Sequence, residues 1–117
     1  MIGIDIVVIS RIEKMTEKFG TKALKRFLTK KEILLAKTPS SIAGFWAVKE
    51  AGSKAIGTGI GSECSFFDMK ISKTKSGQPK LKYSKKIRKK FNIKKSSVSI
   101  THDGGFAIAV VANTLKK

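Results

Sequence analysis

The sequence predicts one α+β domain, with helices mainly in the first half and an antiparallel sheet mainly from the second. Three observations carry this. Helix-period apolar patterns with start and stop signals fill residues 10–55. Period-two patterns, broken by glycine turn signals, fill most of the rest. The chain has 117 residues and no repeat or low-complexity linker, which fits a single core. Helices followed by strands, without βα alternation, are the mark of the α+β class.

Taken in order, "IGIDIVVI" (residues 2–9) is β-branched and apolar, so it reads as a buried strand interrupted only by Asp5. "SRIE" has Ser10 and, three residues on, Glu13, the spacing of a capping box, and predicts a short helix ending near Gly20. "TKALKRFL" continues as a basic amphipathic helix with Ala23, Leu24, Phe27 and Leu28 on one face. A second box, Thr29 to Glu32, opens "KKEILLAK". Pro39 blocks continuation, and Ser40 or Ser41 is expected to cap a long helix over residues 42–55. "GTGIG" stops that helix, because glycine accepts the positive φ of helix ends and tight turns. "FFDMKISK" and "PKLKY" flank Ser76-Gly77 and read as a hairpin. "SKKIRKKFN" spaces Ile87 and Phe91 as a helix does. "SSVSITH" and "FAIAVVAN" are two strands joined by Asp103-Gly104-Gly105.

Charge is the strongest global feature. There are 25 Lys and Arg against 8 Asp and Glu, a formal net charge of +17. Between Met69 and His102 lie twelve basic residues and no acid. Such a field attracts nucleic acid, an anionic membrane surface, a phosphorylated ligand or an acidic protein, and it also arises from solvated lysine-rich faces. Tyr83 and Phe91 are the only aromatics in the basic run, few for a single-strand binder. Phosphate loops of the Walker type are absent, since "GTGIG" ends a helix and lacks the following Lys-Ser/Thr. No apolar run approaches the roughly 20 residues of a spanning helix. The opening run has no basic leader, and Cys64 is the only cysteine. A cytoplasmic protein is the expectation.

With so few acids, each one asks for a reason. Glu50 interrupts the apolar face Ala43, Trp46 and Ala47, and Lys54 follows one turn on. An exposed i,i+4 pair, worth about 0.2–0.5 kcal/mol, is one reading. The other begins from Asp5, whose carboxylate inside an apolar strand needs a cation. Asp5 and Glu50 sharing a divalent metal, with Lys54 turned to the same phosphates, would satisfy both. His102, the only histidine, reads either as a structural strand-end residue or as part of a functional hairpin mouth.

Together, "GIDIV", "FWAVKEAGSKAIGTGIG", "FFDMKI", "SGQPKL" and "SITHDGGFAIAVV" resemble, in order and spacing, the holo-acyl-carrier-protein synthases, the small branch of the phosphopantetheinyl transferases. The resemblance implies the fold of that family and transfer of the 4'-phosphopantetheine arm of coenzyme A to a serine of an apo-acyl carrier protein, releasing 3',5'-ADP. It implies Asp5 and Glu50 as Mg2+ ligands, Lys54 on the phosphate under attack, and Gly77, Pro79 and His102 on coenzyme A. A metal-ordered water near Glu50 or Asp103 is the expected base. It also implies a homotrimer with sites between subunits, and an acidic carrier protein met by Arg11, Lys14, Lys22, Lys25 and Arg26. Gly52 stands where the motif often has an aromatic, which points to a looser helix and an altered pantetheine wall. Lys49, about 100° around the helix from Glu50, is expected at the surface or on coenzyme A. A basic nucleic-acid-binding module and a non-catalytic coenzyme A or carrier-protein binder are the competing readings.

Overall fold

The computed structural model describes residues 1–117. β1 (Ile2–Val8) runs without a loop into α1 (Ile9–Phe19), then come α2 (Thr21–Leu24), α3 (Lys30–Leu35) and the long α4 (Pro39–Ala55). A single 3-10 turn (Phe66–Asp68) leads into β2 (Met69–Lys73), which pairs with β3 (Pro79–Tyr83). α5 (Lys85–Lys90) precedes β4 (Ile93–Asp103) and β5 (Phe106–Leu115). The larger sheet is antiparallel in the order β1-β5-β4, and β2-β3 forms a separate hairpin. α4 lies across one face of the larger sheet, and its Ala43, Ala47, Val48 and Ala51 are fully buried.

Both hairpins form as the turn signals predict. Gly104 and Gly105 have φ of 56° and 83°, the pair of positive angles that lets a two-residue loop follow the twist of its strands. The Thr29–Glu32 capping box also forms, with Thr29 N donating to Glu32 Oε1 at 2.8 Å and Glu32 N to Thr29 Oγ1 at 3.2 Å.

Four local expectations are corrected. Ser10 and Glu13 make no capping box: the cap position falls on Val8, and Ile9 N donates instead to the carbonyl of Gly105 at 2.9 Å, so the hairpin satisfies that helix start. Thr38, not Ser40 or Ser41, caps α4, accepting from Ser41 N at 3.1 Å with Pro39 in the first helical position. β2 begins at Met69, because Ser65 and Asp68 close a capping box that turns Phe66 and Phe67 into a 3-10 turn. The segment after Gly20 is helical only over α2, although Ala23, Leu24, Phe27 and Leu28 are all buried as expected.

A larger correction concerns β1. Only one of its faces is buried. Gly3 and Val7 face α4, with Asp5 between them, whereas Ile2, Ile4, Ile6 and Val8 point outward and are 72%, 60%, 57% and 44% exposed. Asp5 therefore sits on the inner face at a sheet edge and does not interrupt a doubly buried strand. At Gly3 the strand lies directly on α4: a Cβ there would stand 2.0 Å from the Ala51 carbonyl oxygen and 2.6 Å from Ala55 N. Gly52 serves the β2-β3 side of the same helix. A Cβ there would reach 2.7 Å from Met69 Sδ and 3.3 Å from Tyr83 Oη, and Tyr83 Oη donates to the Gly52 carbonyl at 2.8 Å. This glycine lets α4 pack closely on the β2-β3 hairpin.

Candidate functional site

Two groups of side chains mark the ends of α4. At its C-terminal end, α4 rests on β1, and Lys54 Nζ reaches Asp5 Oδ1 at 2.8 Å. That contact is the first cause raising the ammonium of Lys54 above its ordinary value. Glu50, one turn before Lys54, is half-buried. Its carboxyl is raised, first by burial and then by the negative charge of Asp5, while Lys54 and Arg11 pull it down. Burial and a like charge win over two cations. Asp5 thus lies near enough to Glu50 for its charge to act on that carboxyl.

A carboxylate raised by burial and by a like charge beside it is a poor arrangement for stability and a good one for a divalent cation. The donor set is oxygen only, as hard cations such as Mg2+ prefer. No group of three or more Asp, Glu, His or Cys side chains lies close enough to hold a metal, so ligand oxygens or water would complete the shell. Arg11 was expected to meet a carrier protein; its charge reaches Glu50. Lys14, Lys22, Lys25 and Arg26 are exposed on α1, α2 and the turn that follows.

At the other end, α4 lies against β4. Here a cavity of about 150 Å³ is lined by Ser41, Gly44, Lys73, Gly77, Pro79 and His102, with Phe45 and Ile100 beneath. Gly77 and Pro79 thus meet His102, more distant in sequence, in one pocket. Gly77 has a φ of 87°, the left-handed turn that its hairpin requires. His102 Nε2 lies 2.9 Å from the Ser40 carbonyl. Gly44 makes room for that ring: a Cβ would stand 3.2 Å from His102 Nε2 and 3.1 Å from Ile100 Cγ2. Sequence reasoning missed Ser41, Gly44 and Lys73; the one available signal was Gly44 interrupting an otherwise apolar stretch of helix.

Asp103 is not brought to Glu50 within one chain. It pairs with Phe106 at the hairpin tip, three residues beyond Ile100, which lies in the Asp5 row of the sheet. Three residues along a strand is about 10 Å and reverses the face. A part for Asp103 in the reaction would need a second copy of the chain.

Lys49 is corrected outright. It is fully buried, its Nζ donating to Glu32 Oε1 at 2.8 Å and to the Phe27 carbonyl at 2.6 Å. Glu32 Oε2 accepts from Ile71 N at 2.8 Å, so one carboxylate joins α3, α4 and β2. Burial pulls the Lys49 ammonium down and Glu32 opposes the shift. Cys64 is buried as well, its thiol pushed up to about 11, and it has no thiolate character to offer.

Residues 1–111 match the 4'-phosphopantetheinyl transferase superfamily. The chain is 65% identical over 117 residues to the holo-acyl-carrier-protein synthase of Aliarcobacter butzleri, covering 100% of this chain and 99% of that one. It is 64% identical over 111 residues to the synthase of Nautilia profundicola, covering 95% and 96%. The Helicobacter pylori holo-acyl-carrier-protein synthase, solved in complex with coenzyme A, superimposes with a TM-score of 0.94 at 55% identity, covering 97% of this chain and 100% of that one. The chain belongs to the 4'-phosphopantetheinyl transferase superfamily, on its holo-acyl-carrier-protein synthase branch.

Proposed function

We propose that this protein transfers the 4'-phosphopantetheine arm of coenzyme A to a serine hydroxyl of an apo-acyl carrier protein, releasing 3',5'-ADP. The observation that carries the reading is the gathering of Asp5, Glu50 and Lys54 at one end of α4 and of Gly77, Pro79 and His102 at the other. In the reaction the serine oxygen forms a bond to the pantetheine-bearing phosphorus as the bond from that phosphorus to the ADP oxygen breaks. The serine proton leaves to water near Glu50 or Asp103.

Asp5 and Glu50 are the residues that would hold Mg2+, which when bound neutralises pyrophosphate charge. Lys54 offsets charge on the phosphate under attack, and such fixed charge is the main help a protein gives phosphoryl transfer. The cavity at His102 holds the nucleotide end; Lys73 on its wall is exposed and has no carboxylate partner. An acidic carrier protein docks on Arg11, Lys14, Lys22, Lys25 and Arg26, complementarity that chiefly speeds encounter and weakens with salt. The setting is the cytoplasm and fatty acid synthesis.

The test is mass spectrometry of an apo-acyl carrier protein after incubation with coenzyme A, Mg2+ and this protein. A gain of one phosphopantetheine arm is expected. Coenzyme A binding without that gain would leave only the reading as a non-catalytic binder. Salt-sensitive nucleic-acid binding that survives Asp5→Ala, with no transfer, would favour the nucleic-acid module.

A homotrimer with sites between subunits completes the proposal. Its support is the outward face of the β1-β5-β4 sheet, where Ile2, Ile4, Ile6, Val8 and Phe106 are all exposed. Apolar side chains clustered on one sheet face mark an association surface. Ile6→Asp should split the assembly and lower transfer, as read by sedimentation and the mass assay. An unchanged sedimentation coefficient would place the interface elsewhere.

A further inference from the structure

The basic run between Met69 and His102 is not used up by the transfer site. Two cavities of about 330 and 340 Å³ flank Arg88 of α5. The first lies between β3 and the start of β4, and Lys80, Lys82, Arg88, Lys94 and Lys95 line it together with the hydroxyls of Ser72 and Ser96. Lys70 and Lys85 add to the second. No acid lines either cavity, and none of these seven cations has a carboxylate partner, whereas the neighbouring Lys86 and Lys90 are paired with Asp68 and Glu63. Arg88 is half-buried, and its Nε is fully shielded from solvent without a hydrogen-bond acceptor. A shielded, unpartnered guanidinium nitrogen is a cost, which an oxyanion removes once the half-buried side chain turns that nitrogen into the cavity.

We propose that Arg88 and the lysines around it form a second anion site, separate from the transfer site, that takes a compact polyphosphate. The site is distinct because its first cavity and the His102 cavity share no lining residue. The ligand carries several phosphate groups, since a cluster of point charges around a forked guanidinium suits closely spaced oxyanions. It does not depend on a nucleobase. The only aromatic in the first cavity is Tyr83, which is buried with its hydroxyl donating to the Gly52 carbonyl and accepting from Asn113 Nδ2 at 3.1 Å, so it offers no face for stacking; the exposed Phe67 lines the second cavity alone, and the adenosine titration tests it.

The experiment is calorimetric titration of the full-length protein, saturated with coenzyme A, with inorganic tripolyphosphate. Parallel arms use adenosine triphosphate, adenosine and a single-stranded oligonucleotide. One tripolyphosphate per chain is expected, with affinity falling as salt rises. Arg88→Gln should weaken it at least about tenfold, the scale of one charge-assisted hydrogen bond. The exposed double variant Lys82→Gln with Lys95→Gln should weaken it comparably; melting curves on both variants separate lost binding from lost folding. Triphosphate nucleotide binding like tripolyphosphate, with adenosine silent, assigns recognition to the phosphate chain. The proposal is overturned if tripolyphosphate fails to bind, if it binds only without coenzyme A, if folded Arg88→Gln binds it normally, or if only the oligonucleotide shows Arg88-dependent binding.

Discussion

Glu50→Gln is expected to lower transfer about a hundred- to a thousandfold while raising the melting temperature of the metal-free protein at neutral pH. The two effects have one cause. Folding raises the Glu50 carboxyl, chiefly through burial, with Asp5 adding to the effect. Below the ordinary carboxylate value the group is protonated both folded and unfolded, so it costs nothing. As pH rises past that value, the unfolded chain ionises more readily than the folded one, and Glu50 subtracts from stability. Glutamine removes this penalty together with the charge that a cation needs. Mg2+ should therefore raise the melting temperature of the wild type at neutral pH and leave Glu50→Gln unmoved. The Mg2+ effect should fade on acidification at a higher pH than an ordinary carboxylate would give, because Glu50 protonates sooner. Thermal melts with and without Mg2+ across neutral to mildly acidic pH decide the matter. A Mg2+ shift that persists in Glu50→Gln would remove Glu50 from the metal site, and a metal-free melting point below wild type would make Glu50 structural.

Lys49→Met, one residue away, should have the opposite character: large on folding, secondary on chemistry. The substitution leaves Glu32 buried without its ammonium, still accepting from Thr29 N and Ile71 N but with its charge uncompensated. Breaking a buried pair from one side costs about 3–5 kcal/mol, a large share of the roughly 5–15 kcal/mol that holds a domain together. Adding Glu32→Leu should not restore the loss, since it would orphan the same two backbone N–H groups. Urea unfolding of the single and double variants measures this directly. A loss under about 1 kcal/mol for Lys49→Met would show that the carboxylate finds another partner.

How far the chain could be read from its residues differs by element. The long helix, both hairpins and the Thr29–Glu32 box were legible because each is specified locally, by a cap, a glycine or a period. Asp5, Glu50 and Lys54 stood out as candidates because carboxylates are scarce in this chain, and the fold does bring Lys54 onto Asp5. β1 was misjudged because its outward face is as apolar as a core: Ile2, Ile4, Ile6 and Val8 hide the alternation that would expose a one-sided strand. Lys49 was misplaced because α4 is packed on most of its sides, and a lysine beside Glu50 gives no sign of which side its ammonium enters. Its partner was half visible, as Glu32 of a correctly read capping box, but that box showed only a local role. The second carboxylate oxygen reaches Ile71, 39 residues on, and no local rule reaches so far. Asp103 and the carboxylates fall apart within one chain for a related reason: a β-strand carries its residues to alternate faces, and sequence proximity to His102 says nothing of which face meets Glu50.

The contact at Gly3 bears on how the site can vary. Main chain rests on main chain there, with the Ala51 carbonyl filling the place of a Cβ. The gap between the strand bearing Asp5 and the helix bearing Glu50 is therefore gauged by backbone, not by the fit of surrounding side chains. Substitutions that loosen the core elsewhere can lower the melting point without changing the spacing of the two carboxylates. The calibration rests on one missing methyl group.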